Sequence, residues 1–346
     1  LIRPDHVEGN VPLGPLTTLG VGGPASFLLR ARSEDQVLEG FEFARSRDLP
    51  VFVLGGGSNI LVSDSGFDGV VIRIELRGVS ALEDGKITVA AGEDWDGFVA
   101  GSVRENLAGI ECLSGIPGTV GGTPVQNVGA YGEEVSESIV YVRCYDRASG
   151  RIVELANSEC GFAYRTSIFN TTDRERYVVL ATTFQLAPGG EPRITYRDLA
   201  EHFAGREPTL SETREAVIAV RRSKSMVIDP DDPNRRSAGS FFKNPIVSET
   251  KFDAISSRFG GSVPKFPAGE GSVKIPAAWL IEHAGFHKGF IMGPAGISTN
   301  HTLAIVNRGG ATAADIIALA TAIRDTVRRE FDIDLIHEPV FVGEFR

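Results

Sequence analysis

Apolar positions recur along the chain with two periods, every second residue or every third to fourth. The switches between them mark out short strands and helices. After the turn-rich stretch TTLGVGG at 17–23, the apolar run 25–29 reads as a strand, and Ser33 with Asp35 opens a helix to about residue 47. Residues 51–54 form a buried strand, broken by Gly55, Gly56, Gly57, Ser58 and Asn59 before β character resumes over 60–62. Residues 70–91 alternate like paired strands with Asp84 and Gly85 at a hairpin turn, and a helix follows over about 95–105. Strands are predicted at 139–145, 151–155, 178–186 and 303–306, and helices at 209–222, 251–259, 277–283 and 312–331. In the last helix Asp315 stands three residues after Thr312, as in a capping box. The tail 333–342 is expected as one strand carrying His337 and Glu338.

Two glycine-rich blocks interrupt this pattern. GGGSN at 55–59 lies between two strands, and GIPGTVGGTPVQNVGAYG at 115–132 holds glycine far above the roughly 7% background. Residues without Cβ let backbone N–H groups close on phosphate oxygens. A dinucleotide fingerprint would need a helix directly after the first block, and the chain continues there as strands, so a Rossmann fold is excluded. Alone, the first block is equally a tight structural turn. Together, the two blocks fit the two ends of one elongated phosphate-bearing cofactor, with Gln126, Asn127 and Tyr131 available to a heterocycle.

The 346 residues allow two or three domains, and 42% hydrophobic with 23% charged residues is a soluble globular composition. A net charge of −10 argues against non-specific nucleic-acid binding, which needs a basic surface, but leaves room for a local basic pocket. Cys112, Cys144 and Cys160 lack metal-ligand spacing and read as reduced structural thiols, as in the cytosol; no metal is expected. No apolar run reaches the roughly 20 residues of a membrane span, and residues 1–10 lack the pattern of a secretory signal.

Four places offer chemistry. GSFFKNP at 239–245 holds Ser240 between a glycine and two phenylalanines, which suits either a hydroxyl in a dry pocket or an ordinary core strand. FAYRTSIF at 162–169 sets Arg165 among apolar neighbours, as a buried ion-pair partner or a fork for a substrate carboxylate. ITYRDL at 194–199 is polar, proline-flanked and expected at the surface, with Tyr196 as a candidate lid residue. Arg221, Arg222 and Lys224 make a basic helix end that complements the helix dipole or holds a diphosphate.

With these pieces placed, the chain resembles the UDP-N-acetylenolpyruvoylglucosamine reductases, flavoenzymes of bacterial peptidoglycan synthesis. The likeness runs from Thr17 to Gly343 through TTLGVGG, LGGGSN, SGIPGTVGGTPVQNVGAYG, YRTSIF, AGSFFKNP, GSVKIPAAWLIEHAG and the terminal Glu338, in the family's order. It implies an α+β fold: a two-subdomain FAD-binding half of the vanillyl-alcohol-oxidase (PCMH) type and a separate α/β substrate-binding domain. The expected division is 1–75 and 76–205 for FAD and 206–331 for substrate, with the C-terminal strand, about 332–346, returning to the first part. The implied reaction is NADPH-dependent, FAD-mediated reduction of UDP-N-acetylglucosamine enolpyruvate to UDP-N-acetylmuramate, in a cytoplasmic monomer that binds no nucleic acid.

Position by position, the resemblance makes Ser240 the proton donor and Arg165 and Glu338 the residues that polarise the enolpyruvyl group. Tyr196, Lys224, Asn244 and His301 match substrate-binding positions, and the ITYRDL segment matches the branch that closes a tyrosine-bearing loop over substrate. FAD contacts are expected from Gly55, Gly56, Gly57, Ser58 and Asn59 in the first block. In the second they are expected from Gly115, Ile116, Pro117, Gly118, Thr119, Gly122, Gln126, Asn127, Gly129, Ala130 and Tyr131, joined by Arg221. Pro339 and Val340 follow Glu338, where much of the family has a valine and a basic residue. Competing readings are a flavin-dependent sugar or alcohol oxidase on the same scaffold and a non-catalytic flavin or nucleotide-sugar binding module. Such oxidases often attach flavin through a histidine or cysteine, and Ser58 offers no such bond.

Overall fold

Two hydrophobic cores, each closed by its own sheets and helices, organise the computed structural model, which describes residues 6–260 and 263–345. The chain separates into two compact units. One comprises the chain up to Val11 with Ala25–Gly57 and Asp68–Ile228, and the other comprises Pro12–Pro24, Ser58–Phe67 and the chain from Asp229 on.

The first unit holds a four-stranded sheet in the order Val7–Pro12, Pro24–Ala31, Phe67–Ile74, Val51–Leu54. Its last two strands are parallel, which requires a crossover rather than a hairpin. Helix α1, Glu34–Arg45, starts where the Ser33 hydroxyl accepts the Gln36 N–H, and buries Val37, Gly40, Phe43 and Ala44 on one stripe. A second, antiparallel sheet runs Arg151–Ala156, Ile139–Asp146, Tyr177–Gln185, Lys86–Ala90, Val79–Ala81. The Asp84-Gly85 turn takes left-handed φ values of 55° and 75°, as the hairpin required. Helix α2, Trp95–Arg104, is capped by Asp94 and seats Trp95 wholly in the core, where its indole N–H donates to the Leu113 carbonyl at 3.0 Å. The short helix α3, Thr123–Gln126, lies inside the second glycine block.

Helix α4, Arg197–Phe203, is where the structure differs from the surface segment expected at 194–199. Tyr196 is exposed as predicted, but Leu199 is fully buried with Cys112, Phe203, Ala216 and Val217, because α4 packs an apolar edge on helix α5, Leu210–Ser223. Thr209 caps α5 through a capping box with Glu212. Cys112, Cys144 and Cys160 are buried free thiols, and burial raises the pKa of each.

The second unit has an antiparallel sheet in the order Ser237–Ser240, Ala304–Asn307, Ala295–Ile297, Ile291–Met292. Helix α6, Glu249–Arg258, begins two residues before its predicted start because Ser248 caps it, and helix α7, Ala277–His283, agrees with the prediction. Helix α8, Ala313–Phe331, buries Ile316, Leu319, Ile323 and Val327, a run at helical spacing, and Thr312 with Asp315 forms the expected capping box. The predicted tail strand is the main correction. Only Val340–Val342 is a strand, parallel to Ile60–Val62, while His337 makes a single bridge to Phe242. Pro339 has no N–H to give a ladder, and Asp332 at φ 52° turns the chain out of α8, so a continuous ten-residue strand is not formed.

Candidate active site

In the first unit the two glycine blocks, expected at opposite ends of a ligand, touch each other. A Cβ at Gly56 would stand 2.7 Å from Gly118 Cα, so a side chain there would displace backbone, and one at Gly55 would stand 2.9 Å from Thr119 Oγ1 and would displace that hydroxyl. Gly121 is also pressed on its neighbour. Its N–H donates to the Ala91 carbonyl at 2.9 Å, and a Cβ there would lie 2.6 Å from Ala91 Cβ. At Gly122 an added Cβ would meet no heavy atom within 4 Å, so this part of the block faces open space. Ile116, Pro117, Gly118 and Thr119 are half-buried on the same segment.

The start of that block is held electrostatically. The Gly115 N–H donates to Asp96 Oδ1 at 2.6 Å, and Arg214 of α5 grips both Asp96 oxygens at 2.6 and 2.8 Å. Burial opposes the Asp96 charge, but the Arg214 fork and the Gly115 N–H outweigh it, leaving the carboxyl below its usual range. Two turns further along α5, Arg221 is only 8% exposed, with Nη2 donating to the Met226 carbonyl at 2.7 Å. Its Nε is buried without a partner among the described residues, 3.4 Å from where a Gly115 Cβ would sit. Burial lowers its pKa, opposed by Tyr131 and Asp96 and reinforced by the charge of Arg165. Arg221, Tyr131, Asp96 and Arg165 therefore share one electrostatic environment. Lys224 follows as the half-buried C-cap of α5.

Arg165 occupies the turn Ala163–Thr166, closed by two main-chain hydrogen bonds of 3.0 and 2.9 Å, with a left-handed φ of 53°. Its Nη2 donates to the Gly129 carbonyl at 2.6 Å, which aims the guanidinium at the Gly129–Ala130 segment. Tyr131, also left-handed at φ 51°, meets the Tyr196 ring edge-on at 5.2 Å. Gln126 Nε2 is a second buried donor without a partner among the described residues. Asn127 is turned inward: fully buried, it donates to Glu134 and to the Ala163 carbonyl at 2.8 and 3.0 Å and accepts from the Ser136 N–H.

In the second unit Ser240 ends its strand opposite Ala304, just after Gly239 at φ 73°. The fully buried Phe241 anchors it, donating its N–H to the Leu303 carbonyl and accepting the Glu338 N–H, both at 2.8 Å. Asn59 Nδ2 donates to the Glu338 carbonyl at 3.3 Å, and its own carbonyl accepts the Val340 N–H at 3.0 Å. Thr18 joins the set, donating to the Ser237 and Ser58 carbonyls. Ser240, Ser58, Asn59 and Glu338 are thus brought together by main-chain bonds and by the Asn59 amide and Thr18 hydroxyl, and Pro339 leaves the Glu338 N–H in place because the missing donor is one residue later. His301 lies in the turn entering Ala304–Asn307. Asn244 Oδ1 accepts the Ala277 N–H at the start of α7.

Sequence reading passed over Asp96, Arg214 and a buried acid pair, Glu111 and Glu133. Asp96 and Arg214 are 118 positions apart in the chain, with no local motif to join them. Glu111 accepts the Gly109 and Ile110 N–H groups, and Glu133 accepts the Cys112 N–H. Burial, then the nearby Glu111 charge, pushes Glu133 up to about 8 from 4.5. The folded state therefore binds more protons than the unfolded state between those values, and stability falls as pH rises through that window. Glu133→Gln, which cannot ionise, is expected to flatten this fall in thermal melts from pH 5 to 9. At the alkaline end it should exceed the parent by about 1–3 kcal/mol. Melting curves that stay parallel across that range would refute the assignment.

A family model described as FAD binding domain matches residues 25–156, and one described as UDP-N-acetylenolpyruvoylglucosamine reductase, C-terminal domain, matches 231–342. The chain is 50% identical to a UDP-N-acetylenolpyruvoylglucosamine reductase of Thermobifida fusca, covering 96% of this chain and 97% of that one. It is 47% identical to that of Streptomyces coelicolor, over 99% and 92%. Among solved structures it is similar to the UDP-N-acetylenolpyruvylglucosamine reductase of Thermus caldophilus, with a TM-score of 0.68 and 27% identity over 97% of this chain and 99% of that one.

Proposed function

The chain belongs to the UDP-N-acetylenolpyruvoylglucosamine reductase family, and from that premise we propose which of its residues carry the reaction. The enzyme is an FAD-dependent oxidoreductase that uses NADPH to reduce UDP-N-acetylglucosamine enolpyruvate to UDP-N-acetylmuramate for peptidoglycan. The α+β fold, with an FAD-binding half of the PCMH type and a family-specific C-terminal domain, is the one expected from the sequence.

The residues present fit FAD. Arg221 Nε and Gln126 Nε2, buried donors without a partner among the described residues, are suited to a ligand rich in phosphate and carbonyl oxygens, and the side-chain-free approach at Gly122 leaves room for one. FAD would be held by Gly55, Gly56 and Gly57, by Gly115 to Thr119, and by Tyr131 and Arg221. When bound it supplies the hydride taken from NADPH.

An enol ether is electron-rich, so the protein must draw electron density toward the substrate carboxylate. Arg165 does this with a planar fork matched to a carboxylate. Glu338 adds a hydrogen bond, directly as the acid or through water, to the charge developing on that carboxylate. Hydride arrives at carbon 3, negative charge collects at carbon 2, and the Ser240 hydroxyl delivers the proton there, to be replenished from solvent. Tyr196, Lys224, Asn244 and His301 bind the sugar nucleotide. The observation that carries this reading is the 2.8 Å bond from the Glu338 N–H to the Phe241 carbonyl, which supports a joint role for Ser240 and Glu338.

The two substrates use the flavin in turn, NADPH first. The division 1–75, 76–205 and 206–331 into FAD and substrate parts is proposed with it; the family matches at 25–156 and 231–342 support only the coarser order of an FAD-binding part followed by a reductase-specific part. So are a cytoplasmic location, a monomeric state and a role in cell shape and division. No helix among the described residues is long and apolar enough to cross a membrane. The test is optical: NADPH should bleach the yellow flavin band on the order of a second or faster, and the enolpyruvyl sugar nucleotide should restore it. A flavin that NADPH does not reduce, or that only oxygen reoxidises, would refute the reading.

A further inference from the structure

We propose that Asn170 is a positioning residue for Arg165, acting through the arginine's backbone. The inference rests on the reading of Arg165 as the group that holds the substrate carboxylate. Arg165 is third of the four residues in its turn, and at φ 53° it occupies a conformation that favours glycine or asparagine. An arginine there is held against its local preference, at a cost that the surroundings must offset.

Asn170 supplies the restraint. Its Nδ2 donates to the Arg165 carbonyl at 3.2 Å and to Gln126 Oε1 at 3.3 Å, while its Oδ1 accepts the Ser167 N–H at 3.0 Å. Ser167 in turn donates to the Val125 carbonyl at 2.7 Å. One amide thus pins the strained peptide of Arg165 to helix α3 inside the glycine block, whose Gly129 carbonyl receives the guanidinium. It also fixes the orientation of Gln126: with Oε1 taken by Asn170, Nε2 is the end left for a ligand. Backbone and guanidinium of Arg165 are therefore located by two contacts to the same segment, and removing either lets the fork drift. A displacement of about 1 Å from productive geometry costs up to about a hundredfold in rate.

Asn170→Ala removes every side-chain bond without adding charge, and Asn170→Asp keeps the acceptor for Ser167 while losing the donor. Both, as holoenzymes, are expected to reduce their flavin with NADPH within twofold of the parent rate and to reoxidise it with the enolpyruvyl sugar nucleotide about ten- to a hundredfold more slowly. In an Arg165→Lys background, either change should slow reoxidation by less than a further twofold, since both act on one group. Equal slowing of the two half-reactions, disagreement between Ala and Asp, or multiplicative effects with an impaired Arg165→Lys would overturn the proposal alone. Unaltered reoxidation in Arg165→Lys by itself would overturn the reading of Arg165, and this proposal with it.

Discussion

Ser240→Ala is expected to leave flavin reduction by NADPH within about twofold of the parent rate, while reoxidation by the enolpyruvyl sugar nucleotide falls on the order of 10² to 10⁴-fold, the usual worth of a positioned general acid. The split follows from where the proton is needed. Hydride transfer from NADPH places no charge on carbon 2 of the enol ether, whereas reduction of the enol ether does. Ser240 lies at a strand end whose position is set by the main-chain bonds of Phe241 and by Gly239, none of which uses the hydroxyl. The alanine variant should therefore fold, and its melting temperature measures any structural share. Ser240→Cys, with a more acidic proton, should recover part of the loss. Stopped-flow traces of the flavin band separate the two half-reactions. If both slow alike, Ser240 is a packing residue and the proton comes from elsewhere.

Arg165→Lys should slow reoxidation by roughly 10² to 10³-fold, comparable to losing a main electrostatic donor, although the charge is retained. Lysine cannot offer two parallel N–H groups to a carboxylate while also reaching the Gly129 carbonyl that now locates the guanidinium. Lysine and arginine bear the same penalty at φ 53°, so backbone strain does not confuse the comparison. Flavin reduction by NADPH should be little changed, and unaltered turnover of the enolpyruvyl substrate would remove Arg165 from the reacting centre.

The parts of this enzyme that could be read in advance are those encoded in neighbouring residues. The Thr312–Asp315 pair made the start of α8 legible. Asp84-Gly85 announced a hairpin, and the glycine blocks announced backbone that must come close to something. What that something was did not follow. Gly56 and Gly118 are glycine partly because each loop is the other's neighbour, a fact set by a contact across 62 positions. The overlong tail strand and the buried edge of α4 are errors of the opposite kind. Alternation and polarity were read locally, while Pro339 and the packing of Leu199 on α5 decided the outcome.

By itself, then, the sequence determined the element types, the order of the motifs, the family and the residue kinds available for chemistry, because caps, turns and periodic stripes depend on residues a few positions apart. Only the tertiary structure decided which groups share an environment: Asp96 between Gly115 and Arg214, the Arg221 Nε without an acceptor among the described residues, Glu133 held protonated near neutral pH beside Glu111, and Asn170 on the strained peptide of Arg165. Those pairings arise from burial and from contacts between distant segments, and burial is what turns an ordinary carboxyl, amide or guanidinium into one whose partners are few enough to matter.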